Sequence, residues 1–406
     1  MWKLLAIIFY ICFYHSSNGI AAGEEKEKLV AFGDDLADTG NLQRLQNNTS
    51  VGNSSGRMTN GPVFVEYMAT LLKKQLLSMA YTNSTIDNKA ESSQIPSLEK
   101  QVLNFTETER NWIRRKSGPK NSIAVVSAGT NDVIYKAAWD LTAKAAQKLV
   151  DKMVKQIGSM ENLGFGSIVI SNLPAIYVFP RWRMSAIVDG IREFVETSNM
   201  LLRKWLVDHL KEKPDVRLWL LDIEQFMLVT ANSTFAKEIG ARNSTGSCIT
   251  EIGTCTNPDD FVFYDDLHMD SRLHHLLGIV AADMVQGADV KYDAEYLGQM
   301  ARKYDIGVLY HTPAMVFEET QSLMAGGADM TADLGDPLIT STTSVAANCT
   351  LATTCTSADQ VSQAYEQQKR QHGKNSCASR FGHWSKQSIL FSHAALGILL
   401  VSATCF

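Results

Sequence analysis

The amino-acid sequence predicts an α/β fold, a three-layer α/β/α sandwich with helices on both faces of a parallel sheet. Short apolar runs, each the length of one buried strand, recur at residues 29–32, 122–127, 167–171 and 217–221. Between them, apolar residues recur at every third or fourth position over residues 149–157 and 191–205, which is typical of helices with one buried face. Strands that alternate with helices in this way favour a parallel sheet covered on both faces.

The composition is that of a globular protein with a sizeable core, since 45% of the 406 residues are hydrophobic and 20% are charged. The net charge at pH 7 is only −5, and no run of basic residues stands out. A nucleic-acid-binding protein needs a basic face. We therefore expect no nucleic acid among the partners.

The N-terminus is typical of a secretory signal peptide, which we assign to residues 1–22. Lys3 supplies its positive charge, residues 4–14 form a short apolar run, and residues 19–21 have the small-x-small pattern of a cleavage site. The apolar run is too short to span a bilayer comfortably. An ordinary first helix of the folded domain is the alternative interpretation.

Glycosylation sequons along the chain agree with export through the secretory pathway. Each is an N-x-Ser/Thr triplet, the acceptor pattern for N-linked glycans. Their asparagines are Asn47, Asn48, Asn53, Asn83, Asn104, Asn232, Asn243 and Asn348. Together with the signal peptide they predict a glycoprotein that is secreted or displayed on the cell surface.

The spacing of the cysteines predicts local disulfides, as expected for a chain in an oxidising compartment. Cys248 lies close to Cys255, and Cys349 lies close to Cys355. Neither pair has the tight C-x2-C spacing of a zinc site, and no histidine adjoins them. We therefore expect disulfides at both pairs, no metal and no cofactor.

The character of the chain changes after the last helix of the predicted sandwich. We expect a helical extension over residues 286–324, followed by a Ser/Thr/Gly-rich stalk over residues 325–379. Residues 380–406 begin with a polar spacer and end in an apolar run, and small residues precede them at 376–379. This layout is typical of a GPI-attachment signal, with a C-terminal membrane anchor as the alternative. The expected location is the extracellular face of the plasma membrane, or the secreted fraction.

A run of small and acidic residues directly follows the first predicted strand, with the sequence FGDDLADTGN at residues 32–41. It resembles the FGDSLSDTGN block of the GDSL (SGNH-type) lipases/esterases, from which it departs at Asp35 and Ala37. The resemblance implies an exposed turn between strand and helix, where the family places its nucleophilic serine at the position of Asp35. Aspartate is also favoured at a helix N-terminus, so an N-cap is the alternative interpretation of Asp35.

A second block lies directly after the strand-like run at 122–127. Residues 129–132 (GTND) resemble the family's G-x-N-D block, which implies that Asn131 donates a hydrogen bond to the oxyanion. Such a donor is worth about 3–4 kcal/mol in a working enzyme. Ser127 is a conceivable substitute nucleophile, although it lies inside the strand-like run.

A third block lies at residues 265–268 (DDLH) and resembles the family's D-x-x-H block. The resemblance implies that His268 is the general base and that Asp265 orients it. This pairing holds a neutral imidazole in the tautomer that can take the nucleophile's proton. The order of the blocks implies one SGNH-hydrolase-like, flavodoxin-like domain over residues 27–285.

The family also has an N-[YF]-A-x-G-G-A run that helps to bind the oxyanion. Residues 78–88 align with it, and Thr82 and Asn83 stand at its glycine positions. A glycine there lets the backbone N–H approach the oxyanion closely, and a glycan on Asn83 would crowd the cleft. Gly129 completes the oxyanion region that the resemblance implies. Residues 56–62 (GRMTNGP) resemble the family's GRFSNGP segment and are interpreted as a structural turn.

The substitution at position 35 predicts loss of the acyl-enzyme reaction. A serine hydroxyl becomes a nucleophile when histidine removes its proton, whereas an aspartate is already ionised near neutral pH. Attack of Asp35 on an ester would give a mixed anhydride, which is less stable than the ester. We expect Asp35 to pair with a protonated His268 instead and to hold the site shut.

These residues favour a pseudoenzyme, a catalytically inactive or impaired GDSL lipase/esterase-like protein of the cell surface. Its expected partners are a lipid, an ester or an acylated carbohydrate, and a membrane reached through the C-terminal anchor. One alternative is an active ester hydrolase (lipase/esterase) in which His268 or Asp35 activates water. Another is a purely structural coat protein, which the retained Asn131, Asp265 and His268 disfavour.

The GPI interpretation predicts release of the protein from intact cells by a phosphatidylinositol-specific phospholipase. The released chain should lack residues 380–406, because the signal is removed when the anchor is attached. Mass spectrometry of the released protein checks this. Retention on the membrane with the apolar tail still attached would indicate a transmembrane anchor instead.

Overall fold

Parallel strands form the central sheet of the protein. The computed structural model describes residues 27–47, 55–87, 94–114, 118–136 and 140–307. Within these residues the strands of the sheet are β1 (Lys28–Gly33), β2 (Gln75–Ser78), β3 (Ile123–Ser127), β4 (Ser167–Ser171) and β5 (Arg217–Leu221). Their spatial order is β2-β1-β3-β4-β5, and every neighbouring pair is parallel. In this doubly wound order the winding reverses between β1 and β3, and ligands bind near that point at the carboxyl ends of the strands.

The helices in the described residues pack as two groups on the sheet. α3, α6 and α7 contact one another in series, and α2, α10 and α11 do so separately. The predicted three-layer α/β/α fold class is therefore confirmed. The helices are α1 (Asn41–Gln46), α2 (Phe64–Leu71), α3 (Leu98–Thr108), α4 (Arg110–Ile113), α5 (Thr130–Lys136), α6 (Ala143–Asn162), α7 (Val188–Glu212), α8 (Ile223–Thr230), α9 (Ser233–Glu238), α10 (Ser271–Val285) and α11 (Ala294–Lys303).

The strand sequences explain why the sheet is buried on both faces. Every residue of β3 and β4 is buried, as is all of β1 after its first residue. Such continuous Val, Ile, Leu and Ala runs are typical of parallel strands covered by helices. β1 and β3 pair in register from Leu29 opposite Ile123 to Gly33 opposite Ser127, so the two strands end together. Side chains just beyond these strands are therefore brought close to one another.

A small accessory region lies between α9 and α10. Its strands β6 (Asn243–Ser247) and β9 (Phe261–Phe263) pair in parallel, and the short strands β7 (Ile249–Thr250) and β8 (Gly253–Thr254) form an antiparallel hairpin. A disulfide between Cys248 and Cys255, whose Cα atoms are 4.9 Å apart, closes this hairpin. β9 leads directly into the loop that carries the D-x-x-H block.

The start of α1 differs from the sequence-based expectation. No helix begins at Asp35, which lies in a turn where the N–H groups of Ala37 and Asp38 donate to the carbonyl oxygen of Asp34 (3.0 and 3.1 Å). The helix begins at Asn41 instead. Asp38 caps it, because its carboxylate accepts hydrogen bonds from the backbone of Gly40 (2.8 Å) and Asn41 (2.5 Å). The N-cap interpretation of Asp35 is therefore wrong.

The packed core continues beyond residue 285, where we placed the end of the domain. α11 lies within the predicted helical extension at 286–324, but Tyr292, Leu297 and Ile306 are buried in the same core as the sheet. The core extends to α11 because one face of this helix is apolar and packs on α10.

Several sequence-based assignments lie outside the described residues. They are the signal peptide at 1–22, the stalk at 325–379, the C-terminal signal at 380–406 and the Cys349–Cys355 disulfide. In the part of the chain that the structure does describe, no helix has the length and apolar character needed to cross a membrane.

Replacing Gly33 by alanine is expected to destabilise the fold. The backbone of Gly33 has a φ of 133°, which favours glycine, and an added Cβ would lie 1.7 Å from the carbonyl oxygen of Ser127. We expect a loss of about 2–4 kcal/mol in the free energy of unfolding, measured by urea denaturation. Gly158→Ala in α6 is the matched control, because nothing lies within 4 Å of its added Cβ. This control should be neutral or slightly stabilising, and equal effects of the two substitutions would contradict the expectation.

Candidate active site

Loops from distant parts of the chain meet at the carboxyl ends of β1 and β3. The turn after β1 carries Asp34 and Asp35, Asn131 lies in the first turn of α5, and His268 lies in the loop between β9 and α10. The N–H of Asp34 donates to the carbonyl oxygen of Ser127 at the end of β3 (2.8 Å). This bond fixes the turn that presents Asp35 beside Asn131.

The two carboxylate oxygens of Asp35 have different partners. Oδ1 lies 3.0 Å from Nε2 of His268. Oδ2 accepts hydrogen bonds from the side-chain amide of Asn131 (2.5 Å) and from the backbone N–H of Asn83 (3.2 Å). The residue is 8% exposed. Asp35 is therefore nearly buried and held from both sides, and the exposed turn that the resemblance implies is not observed.

The imidazole of His268 lies between two carboxylates. Its Nδ1 is 2.8 Å from both side-chain oxygens of Asp265, and its Nε2 faces Asp35. Oδ1 of Asp265 also accepts the backbone N–H groups of Leu267 (2.9 Å) and His268 (2.8 Å), which fixes the loop around the ring. The structure thus brings Asp35, Asn131, His268 and Asp265 together, as the order of the sequence blocks predicts.

These contacts set the charges of the site. Burial alone would lower the pKa of His268, but the charges and hydrogen bonds of Asp265 and Asp35 raise it to about 10. Burial would likewise raise the pKa values of Asp35 and Asp265, but contact with His268 lowers both. At neutral pH the ring is therefore an imidazolium that donates from both nitrogens to two carboxylates.

Asp34 differs from its neighbour Asp35. Burial and the charge of Asp35 raise the pKa of Asp34 well above its usual range, although the backbone N–H of Thr130 donates to its Oδ2 (3.2 Å). Its Oδ1 is buried without a hydrogen-bond partner among the described residues. Two adjacent carboxyl groups that cannot both ionise cheaply share one charge. Here the contact with His268 favours the charge on Asp35, and the raised pKa of Asp34 favours its protonated form.

Of the residues expected in the oxyanion region, Asn83 and Asn131 contact Asp35. Asn83 has a φ of 63°, a left-handed conformation that asparagine tolerates, and this directs its N–H toward Oδ2 of Asp35. Thr82 contributes no donor to Asp35, because its N–H binds Asp38 instead (2.7 Å). Gly129 lies at the start of α5, where its carbonyl oxygen accepts the N–H of Val133 (3.2 Å). The donors at Oδ2 are thus Asn83 and Asn131.

Two acidic residues within the motifs, neither of them predicted as a site residue, support the segment that carries Asn83. Asp38 binds the backbone of Thr82, and Asp132 accepts the backbone N–H of Ile86 (2.9 Å). Both acids therefore hold the segment that carries Asn83. Asp38 and Asp132 could have been found in the sequence because they lie inside the FGDDLADTGN and GTND runs.

Ser127, the conceivable substitute nucleophile, is not at the site. Ser127 occupies the last position of β3, is 1% exposed and does not line the cleft beside Asp35. The cleft itself is small, with a volume of about 20 Å³, which is room for about one water molecule. Its apolar lining residues are Leu36, Ile134, Pro174, Phe179, Met227, Leu267 and Met269.

A second polar cluster is buried at the carboxyl ends of β4 and β5. Arg203 of α7 binds Asp222 (2.5 Å), whose other oxygen accepts the side-chain amide of Asn172 (2.6 Å). Asn199 of α7 donates to Glu224 (2.9 Å). This cluster ties α7 to the sheet and does not line the cleft beside Asp35.

The family assignment follows from a match that spans the sheet and the site. Residues 29–279, more than half of the 406 residues, match the family model described as GDSL-like Lipase/Acylhydrolase. The chain belongs to this family.

Individual relatives of this GDSL protein are distant. A GDSL esterase/lipase of Arabidopsis thaliana is 24% identical over 301 residues, which is 62% of this chain and 92% of the relative. The Inactive GDSL esterase/lipase-like protein 25 of the same plant is 21% identical over 304 residues, 65% of this chain and 72% of the relative. The plant's GDSL esterase/lipase EXL6 is 25% identical over 301 residues, 61% of this chain and 88% of the relative.

Solved structures with similar folds are more distant still. A member of the lipolytic G-D-S-L family from Veillonella parvula DSM 2008 is 14% identical with a TM-score of 0.37, over 64% of this chain and 100% of that one. LAE5, an alpha/beta hydrolase enzyme from the metagenome of Lake Arreo in Spain, is 13% identical with a TM-score of 0.36, over 64% of this chain and 97% of that one.

The sequons differ in how accessible they are. The side chains of Asn47, Asn83 and Asn232 are exposed, and those of Asn104 and Asn243 are partly buried. Asn48, Asn53 and Asn348 lie outside the described residues. Asn83 thus has an exposed side chain, while its backbone N–H contacts Asp35.

His268 of this GDSL protein is expected to stay protonated at neutral pH and to titrate near pH 10. Replacing Asp35 by serine removes one of the carboxylates that raise this pKa, so the pKa should fall in the variant. NMR titration of the imidazole carbons measures both values. His274 and His275 are internal references, because burial lowers their pKa values to about 3 and about 4. Titration of His268 near the ordinary value of about 6.5 would show that the ion pairs are not formed.

The same shift makes stability depend on pH. The pKa of His268 rises on folding from about 6.5 to about 10, so its stabilisation is complete below about pH 6.5 and is lost as the pH rises through about 10. The lowered pKa of Asp35 affects stability at acidic pH, because the stabilisation from its ionised carboxylate is lost as the pH falls below about 4. The free energy of unfolding should therefore fall between about pH 7 and pH 10. A His268→Gln variant with an equally steep fall would contradict this.

Proposed function

We propose that this GDSL protein is a catalytically inactive or strongly impaired ester hydrolase that binds an apolar ligand, a lipid or an acylated carbohydrate, at the cell surface. The observation that carries the proposal is the contact between Nε2 of His268 and Oδ1 of Asp35 (3.0 Å). Acyl transfer needs a hydroxyl group as the nucleophile, but a carboxylate occupies that position. It also needs an unprotonated histidine as the base, but His268 is paired with Asp35.

The first obstacle to ester hydrolysis is the protonation state of His268. An acyl-enzyme forms when a neutral imidazole takes a proton from the nucleophile. Here Asp35 and Asp265 raise the pKa of His268 to about 10. The ring therefore carries a proton already and cannot act as the base at neutral pH.

The second obstacle is the oxyanion position. In acyl transfer, preorganised donors stabilise the negative charge that develops on the ester oxygen, and removing one of them costs about 10²–10³ in kcat. The donors of Asn83 and Asn131 bind Oδ2 of Asp35 instead. An oxyanion formed from an ester would have to displace the carboxylate of Asp35 from these donors. The negative charge of that carboxylate would also repel the oxyanion.

The ligand class follows from the walls of the cleft. The walls include the apolar side chains of Leu36, Ile134, Phe179, Met227 and Leu267, and apolar side chains bind aliphatic groups through burial of their surface. The cleft, with a volume of about 20 Å³, must widen to admit such a group. The predicted signal peptide, sequons and C-terminal signal support a place on the outer face of the cell. The name of one relative contains the word inactive, while other relatives are named esterase/lipase.

An active ester hydrolase is the second candidate, and one observation favours it. Asp265, His268 and Asn131 keep the arrangement that the family uses, and the cleft has room for about one water molecule. Activation of this water would need His268 to lose its proton, which the two carboxylates oppose.

Hydrolysis of the nitrophenyl ester of butyric acid by purified protein decides between these candidates. The natural protein should show turnover near the uncatalysed rate, because loss of the serine nucleophile costs about 10⁶-fold in a serine hydrolase. Asp35→Ser should raise turnover at least about 100-fold, since the donors of Asn83 and Asn131 are already in place. The added activity should disappear on a second change, His268→Ala. Ordinary esterase turnover by the natural protein, abolished by His268→Ala alone, would overturn the proposal.

A further inference from the structure

Asp35 and His268, which oppose acyl transfer, are suited to a different reaction, in which the carboxylate of Asp35 attacks a saturated carbon atom. We propose that Asp35 is a carboxylate nucleophile for an aliphatic epoxide, and that this protein hydrolyses the epoxide to a diol through an ester of Asp35. The inference goes beyond inactivity toward carboxylic esters, and either proposal can fail without the other. The difference lies in the product of attack, because a carboxylate and an ester carbonyl give an anhydride, whereas a carboxylate and an epoxide carbon give an ordinary ester.

The geometry provides an ionised and oriented nucleophile. Oδ2 of Asp35 is held by Asn83 (3.2 Å) and Asn131 (2.5 Å), while Oδ1 accepts from His268 (3.0 Å) and retains a second lone pair. Asp35 lines the cleft. Aspartate forms covalent intermediates elsewhere in enzymology when its carboxylate is positioned in this way. Of the two adjacent carboxyl groups, Asp35 is the one that contacts His268, whereas Oδ2 of Asp34 accepts the backbone N–H of Thr130 (3.2 Å).

In the first step the bond between Oδ1 and an epoxide carbon forms, and the bond between that carbon and the ring oxygen breaks. The ring oxygen becomes an alkoxide and needs one proton. His268 carries that proton on Nε2, and it loses its ionised partner when Asp35 is esterified. The proton passes directly to the alkoxide. The products are a hydroxyalkyl ester of Asp35 and a neutral His268.

In the second step neutral His268 takes a proton from water, and the water oxygen attacks Cγ of Asp35. The oxyanion forms at Oδ2, where the N–H of Asn83 and the amide of Asn131 already converge. The bond between Cγ and Oδ1 then breaks, and the diol leaves with Oδ1 and a proton from His268. The proton of the new carboxyl group moves to His268, which restores the ion pair. The sum of both steps is epoxide plus water giving diol.

The chemical class of the substrate follows from the leaving group and the walls. An epoxide oxygen stays attached to the substrate and needs only the one proton that His268 supplies. Among the described residues that line the cleft, His268 is the only cationic side chain, so a phosphate or sulfate leaving group would have no counter-charge besides this imidazolium. The remaining walls are largely apolar, which suits an alkyl chain, but the cleft of about 20 Å³ must widen to admit the epoxide.

The test uses octene oxide, an aliphatic epoxide, with the purified full-length protein in water enriched in heavy oxygen. With protein in excess, the first diol formed should contain ordinary oxygen from Asp35, and the heavy oxygen should appear in the peptide that contains Asp35. Mass spectrometry measures both. Heavy oxygen in the diol of the first turnover would mean direct attack by water and would overturn the ester of Asp35. Failure of the natural protein to form any diol would overturn the activity itself.

A variant without the base should trap the ester. In His268→Gln the alkoxide of the first step must take its proton from solvent water, so the adduct on Asp35 should form more slowly than in the natural protein but should then persist. Diol formation should fall by about 10²–10⁴-fold because general-acid and general-base assistance are both lost. His209→Gln is the matched control, since His209 also pairs with a carboxylate, Glu161 (2.6 Å), and its side chain is likewise 12% exposed. The control should behave like the natural protein. A folded His268→Gln protein without an adduct on Asp35 would contradict the mechanism.

Asp35→Ser separates this inference from the proposed function. This variant should lose diol formation and gain ester hydrolysis. If it gains ester hydrolysis while the natural protein forms no diol, the epoxide inference fails and the pseudoenzyme proposal stands. If the natural protein forms diol through Asp35 and also hydrolyses carboxylic esters, the inference stands and the pseudoenzyme proposal fails.

Discussion

The carboxylate of Asp35 connects parts of the chain that are far apart in sequence. Its partners His268, Asn131 and Asn83 lie 233, 96 and 48 positions away. They belong to the loop before α10, the first turn of α5 and the segment after β2, so one side chain ties these regions to the end of β1. A buried charge without partners would cost several kcal/mol. The closing of these loops around Asp35 is therefore a condition for keeping it ionised.

The neighbouring acids show how the surroundings decide which carboxyl group is charged. Asp34 and Asp35 are adjacent and both nearly buried, yet only Asp35 contacts an imidazolium. Asp38 stays buried by accepting several backbone N–H groups, among them those of Asn41 and Thr82. Each acid of the FGDDLADTGN run thus has different contacts: Asp34 is buried with a raised pKa, Asp35 pairs with His268, and Asp38 holds the segment that contains Thr82.

The sequence predicts the features whose signal is local. β3 and β4 are apolar enough to be recognised alone, and the blocks around Asp35, Asn131 and His268 carry their own chemistry. β2 is not predicted, because only its last two residues are buried. The turn before α1 is not predicted either, since Asp38 acts there through a contact with Thr82, 44 positions away. Likewise, the packing of α11 beyond residue 285 depends on a surface of α10 that exists only after folding.

The separation of 233 positions between Asp35 and His268 has a consequence for biosynthesis. At about 5–20 residues per second, a ribosome needs roughly 12–47 s to add the intervening residues. Asn131 is synthesised 96 residues after Asp35, before the midpoint of this interval, so it can reach Asp35 before His268, the cationic partner of Asp35, has been translated. Until then the nascent domain has an uncompensated charge at the edge of its sheet, which must remain hydrated or take up a proton. Completion of the core around Asp35 is thereby postponed until the end of the domain has been made.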